Sequence, residues 1–169
     1  SAYDGFIGGG NQNCASANCS VIVGGTRNCV TGTLSSIAGG TLNTGSGACS
    51  FIGGGASNTA AGTFSYAGGE LSCASGAQSF AHGYTALASG GASSAFGALT
   101  QATGNNSFAI GSCTQATQTD SFASGFDTRA TGCQSAAFGY QTCANDNSSL
   151  AGGGVSCAIG TNSFAWGTA

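Results

Sequence analysis

The sequence predicts an all-β fold, a parallel β-solenoid built from stacked coils. Three observations predict it. A short block recurs every 14 or 15 residues along the chain. Every block has Gly at its fifth position. No stretch carries helical apolar spacing. A period this short cannot hold a helical hairpin, so each block reads as one coil, and coils stack on coils.

Blocks open at Gly5, Ser20, Ser35, Ser50, Ser65, Ser79, Ser93, Ser107, Ser121, Ser135, Ser149 and Ser163. The expectation is a single solenoid over residues 1–169, with 15-residue coils over 5–64 and 14-residue coils over 65–169. The fifth-position column is Gly9, Gly24, Gly39, Gly54, Gly69, Gly83, Gly97, Gly111, Gly125, Gly139, Gly153 and Gly167. Gly at one phase predicts a corner that needs positive φ or a close backbone approach. The third position is Ile in the long blocks (Ile7, Ile22, Ile37, Ile52) and Ala in the short ones, from Ala67 to Ala165. Ala also fills the tenth position of each complete short block, from Ala74 to Ala158. A shorter coil encloses a narrower space, which a smaller side chain fills at native density. Asn13, Asn28, Asn43 and Asn58 share the ninth position of the long blocks. They read as turn residues, able to take the left-handed conformation and to hydrogen-bond up the stack.

Composition agrees. Gly is 32 of 169 residues, Pro is absent and charged residues are 4%. Disordered chains are charged, Pro-rich and poor in aromatics, whereas this one has ten Phe, four Tyr and one Trp, many at set phases. No 18-residue apolar run marks a membrane span, and no charged-then-apolar leader is present.

The aromatic and large apolar residues occupy two positions. Tyr66, Phe80, Phe108, Phe122, Leu150 and Phe164 are second; Phe96, Ile110, Phe138 and Trp166 are fourth. In a strand these alternate with the small residues of positions one, three and five. If the small residues point inward, the large ones make an apolar stripe outside. Such a stripe is a partner surface or an aggregation liability. The preferred reading is a homo-oligomer with these stripes packed around a common axis. The alternative places the aromatics inside, where a 14-residue coil leaves little room.

The motif Ser-x-Ala-x-Gly, followed by x-x-x-x-Ala-x-Gly at 14-residue spacing, resembles the head repeats of YadA-like trimeric autotransporter adhesins. The long blocks, such as Ser50-Phe-Ile-Gly-Gly-Gly-Ala-Ser-Asn58, are similar to the Ile-Gly-Gly-x-x-Asn variant, which also occurs in phage and viral tail fibres. The resemblance runs from Gly5 to Gly167. It implies a left-handed β-roll, three rolls side by side as a homotrimer, and an extracellular adhesin or fibre on a cell or virion surface that meets a host or cell-surface receptor. Two features depart from it. Such heads usually lack cysteine, and this chain has nine. The coiled-coil stalk has no counterpart, because there are no heptads.

An odd number of cysteines in such a chain points to an oxidising, extracellular setting. Cys14 and Cys29 share one phase of adjacent coils, as do Cys143 and Cys157. Stacked neighbours lie ~4.8 Å apart, within disulfide reach, so these four are the intrachain disulfide candidates. Cys19 and Cys49 share a phase but stand two coils apart, about 9.6 Å. The competing reading is that most are small buried thiols filling Ala-like slots. The repeat runs from Gly5 to Gly167 without a polar cap. Either the chain is a segment of a longer fibre, or protomers stack end to end through open β-edges into a polymer.

No catalytic constellation is visible, so the chain reads as a non-enzyme without cofactor or metal. His82 is the only histidine, and no Cys-x-x-Cys occurs. Asp4, Glu70, Asp120, Asp127 and Asp146 fall at different phases. Two cations, Arg27 and Arg129, and a net charge of −3 argue against nucleic acid. Gly-x-Gly-x-x-Gly matches are incidental in so Gly-rich a chain, and the Gly-Gly-x-Gly-x-Asp calcium repeat is absent. Asn18, Asn105 and Asn147 sit in glycosylation-type tripeptides just before a block opening. Three function classes remain: a structural or adhesive fibre, a self-assembling filament subunit, and an ice-binding solenoid. The last draws on Thr columns at Thr100, Thr114, Thr128, Thr142 and at Thr103, Thr117, Thr131. Residues three apart face opposite ways on a strand, which weakens a flat Thr array.

Overall fold

Each repeat closes through two strands and three bends. A computed structural model describes residues 4–168, with the side chain of residue 168 outside the description. The described residues are all-β, with no helix. They form two compact units, Ser1–Thr85 and Ala86–Ala169. The boundary lies within the short-coil series, not at the change of coil length.

In the first unit the long-strand sheet begins with two-residue strands, Phe6–Ile7, Val21–Ile22 and Ser36–Ile37. It continues through Phe51–Ala56, Tyr66–Glu70 and Phe80–Tyr84. The short-strand sheet holds two-residue strands, such as Cys14–Ala15, Thr44–Gly45 and Cys73–Ala74. The second unit repeats the plan, with long strands such as Phe108–Ser112 and Phe122–Phe126 and short ones such as Gln115–Ala116. Within each unit the pairings are parallel, and all but one keep a single register along their length. Phe108 faces Phe122, and Ala109 faces Ala123. Amides donate along the stack, as from Val21 N to Ser35 O at 3.0 Å and from Phe122 N to Ser135 O at 2.9 Å.

The inside of each coil is the column of small residues. Ala67, Ala81, Ala95, Ala109, Ala123 and Ala137 are fully buried, as are tenth-position residues such as Ala116 and Ala130. Ile22, Ile37 and Ile52 fill the same place in the wider coils, each contributing about 1.5–3 kcal/mol by burial. The extra residue of the long coils is taken up in the long-strand bend. Ile52 pairs with Ala67, 15 on, but Gly55 pairs with Gly69, 14 on, and the slip is a bulge at Gly53 and Gly54.

That bend corrects the corner column. From Gly54 to Gly153 the fifth-position glycines have positive φ, as at Gly125 (φ +130). A Cβ on Gly125 would stand 1.9 Å from the carbonyl oxygen of Gly139. Gly9, Gly24 and Gly39 do not hold this role. In those coils the positive φ passes to Gly10, Gly25 and Gly40, because the additional residue moves the turn one step along. Gly167 also lies outside the left-handed region.

The Asn column is corrected too. The left-handed residue is the one before each Asn: Gln12, Arg27, Leu42 and Ser57. The Asn side chain turns inward. Asn43 Nδ2 donates to Gly39 O and Gly55 O, both at 3.0 Å, and Asn43 Oδ1 accepts from the Asn58 amide at 2.9 Å. Asn28 makes the same set one coil earlier. The expected bonding up the stack is therefore present, but as a buried ladder and not as turns. The block-opening Ser closes the third bend, its hydroxyl donating to the carbonyl three residues back, as from Ser107 to Gly104 at 2.6 Å.

Candidate functional site

The interiors are filled by Ala, Ile, Val, Ser, Thr and Asn, with no titratable group among them, so the chemistry the described residues offer lies on their outer faces. Among the described residues there is no cavity and no cluster of three His, Cys, Asp or Glu side chains able to hold a metal.

The long-strand sheet turns positions two, four and six outward. In the second unit the expected interface residues Phe96, Phe108, Phe122 and Phe138 come together as one ladder of rings. Phe108 and Phe122 stack at 5.3 Å with planes 7° apart, and Phe122 meets Phe138 at 5.1 Å. Phe96 leans on Phe108 at 5.7 Å. The ladder shifts column where the second position shrinks to Ser94 or Ala136, and a ring at position four fills the gap. Most of these rings are half-buried, each in contact with the next along the ladder. Ile110 and Phe138 are exposed beside them, while Leu150 is half-buried. Phe164 and Trp166 stack on each other at 6.2 Å, and the Trp166 ring lies over Gly152, where a Cβ would be 2.1 Å from it. In the first unit Tyr66 stacks on Phe80 at 4.1 Å.

Two sets of outer residues are absent from the sequence reading. Phe126 and Tyr140, at position six, stack at 5.4 Å and are 46% and 53% exposed. Continuing the two-residue alternation one step further finds them. The left-handed corners also carry large apolar side chains: Leu34, Phe64, Leu71, Leu99 and Val155 are all exposed. Nothing in those residue types marks a left-handed turn.

The short-strand sheet turns the cysteine column outward. Cys14 pairs with Cys29 and Cys143 with Cys157 in register. All nine cysteines are free thiols in this structure. Burial, and then the sulfur of Cys14, raises the Cys29 thiol above its ordinary range. Burial and Cys157 do the same for Cys143, against a smaller lowering by Arg129.

The remaining polar residues stay separate. His82 is exposed and packs over Gly68, 6.1 Å from the Tyr66 ring. Asp127 meets Arg129 at 3.4 Å, with Arg129 half out of the fold. Asn18, Asn105 and Asn147 are exposed; Asn105 Oδ1 accepts from Gly91 N and Asn147 Oδ1 from Cys133 N, across coils. Thr100, Thr114, Thr128 and Thr142 are buried, which leaves Thr103, Thr117 and Thr131 as a single outer column and no flat two-column array.

No family model matches the sequence, and comparison with curated proteins finds no relative.

Proposed function

We propose that this chain is a structural and adhesive segment of an extracellular fibre, a stiff stack of coils that associates laterally with copies of itself. One observation carries the reading. Over residues 86–169 the outward positions of the long-strand sheet hold Phe, Tyr, Trp, Leu and Ile among small residues, and no charge. A contiguous apolar face of this kind on a monomer is a partner surface. A copy of this chain carries the same uncharged apolar face and so matches it in chemistry along its length. Three copies, a left-handed coil and display on a cell or virion surface, facing a receptor, come from the resemblance to YadA-like heads.

Light scattering on the purified chain tests it. A trimer weighs three times 16.0 kDa, about 48 kDa. Replacing Phe126 and Tyr140 by Asp should return the mass to 16.0 kDa with the far-UV spectrum unchanged. A wild-type chain that stays at 16.0 kDa over micromolar concentrations sinks the lateral reading. Filaments of constant width in negative stain would replace it with end-to-end assembly.

A further inference from the structure

The cysteine column carries an inference beyond lateral association. Cys14 and Cys29 are direct partners in the strands Cys14–Ala15 and Cys29–Val30, and Cys143 and Cys157 in Cys143–Ala144 and Cys157–Ala158. The next residue in three of these strands, Val30, Ala144 and Ala158, is buried in the coil, so the sulfurs stand on the outer face. Parallel neighbours lie ~4.8 Å apart, within the Cα span of ~4.4–6.8 Å that a disulfide accepts.

Each pair is also asymmetric. Cys14 and Cys157 are exposed, whereas Cys29 and Cys143 are half-buried. The other thiols lack this arrangement. Cys73 faces Thr59 in the strand below. Leu34 stands between Cys19 and Cys49. Cys113 shares its column with Leu99 and Asp127, and Cys133 with Thr119 and Asn147.

We propose that Cys14/Cys29 and Cys143/Cys157 are two cross-coil disulfide sites, each closed by exchange with a small disulfide of the oxidised-glutathione class. The exposed thiol, Cys14 or Cys157, loses its proton and attacks one sulfur of the reagent. The reagent S–S bond breaks, and one small thiolate leaves and takes up that proton. The half-buried partner, Cys29 or Cys143, then loses its proton and attacks the exposed cysteine's sulfur. A protein S–S bond forms, and the second small thiol leaves with the proton. Two protein thiols lose two electrons in all, and one reagent disulfide becomes two thiols. The exposed cysteine must react first, because a reagent reaches it without parting the coils; its neighbour is placed to resolve the mixed disulfide.

The test counts thiols in the full chain, whatever its oligomeric state, so its outcome is separate from that of lateral association. The folded, reduced protein is incubated with excess oxidised glutathione, denatured, alkylated and mapped by mass spectrometry. Nine thiols minus four leaves five alkylated cysteines, with Cys14 joined to Cys29 and Cys143 to Cys157. Cys14→Ser leaves eight cysteines and should lose one bridge, so eight minus two gives six alkylated. Nine alkylated cysteines, stable glutathione adducts at Cys14 or Cys157, or bonds joining other cysteines or two chains would each overturn the proposal.

Discussion

Asn43→Ala removes one of the three fully buried Asn side chains that each make three hydrogen bonds in the wide coils. Asn43 is fully buried. Its amide group donates to Gly39 O and Gly55 O, and its oxygen accepts from the Asn58 amide. Gly55 O keeps a second donor, the Thr41 amide at 2.9 Å. The buried Asn58 N–H and the carbonyl of half-buried Gly39 are then left without partners. A buried orphaned polar group costs about 1–3 kcal/mol and a half-buried one less, so the pair costs about 2–4 kcal/mol. That is a large share of the ~5–15 kcal/mol that holds a domain together. Equilibrium urea unfolding reads the total. Hydrogen exchange reads the local event: the Asn58 amide should exchange about 30-fold faster or more, since ~1.4 kcal/mol is a factor of ten. Asn43→Leu separates bonding from packing. It refills the volume but leaves both backbone groups orphaned, so it should lose at least as much. Recovery of stability in Asn43→Leu, or unchanged exchange at Asn58, would refute the ladder as the source of stability.

Three further outcomes follow from the interior and the corners. Ala109→Leu puts a branched side chain into a fully buried Ala slot between Ala95 and Ala123 and should lower stability by about 1–3 kcal/mol; a neutral thermal melt contradicts the inward assignment. Thr114→Val should be neutral or stabilising by about 1 kcal/mol in urea, because the buried Thr114 hydroxyl has no partner; a clear loss would mean that it has one. Val155 is β-branched, 54% exposed and held at φ 49, so Val155→Asn should raise stability by about 1 kcal/mol as Asn tolerates this basin. An unchanged melting point would show no strain at that corner.

The coil, its period and its inward Ala and Ile columns were legible because packing repeats the same demand at the same phase every turn. The Asn column was legible as a stack but misread as a turn. Asn serves both purposes, and only the positive φ at Gln12, Arg27, Leu42 and Ser57 separates them. The corner at Gly9, Gly24 and Gly39 was misplaced because those coils offer two or three consecutive glycines, and composition cannot choose among them. On the outer face the aromatic positions were legible by alternation. The ring-to-ring stacking was not, because it depends on which neighbour is small enough to be leaned over. The left-handed corners were invisible. Asp and Asn, which tolerate that basin, hold only a few of them, such as Asn106 and Asp127; Leu, Gln, Thr, Cys and Phe, which do not prefer it, hold others and hide the column.

Those corners give the chain an unusual relation to handedness. Each complete coil places two non-glycine L-residues in the basin that belongs by symmetry to their mirror images, as at Leu99 and Asn106, or Gln141 and Ser148. A D-residue at Gln141 would sit in its own preferred basin while keeping its place in the ring of backbone hydrogen bonds. Chemical synthesis of such mixed-chirality coils would remove an opposing energy of roughly 1–2 kcal/mol at each corner. The same change at Ala137 or Ala144, inside ordinary strands, would break the coil.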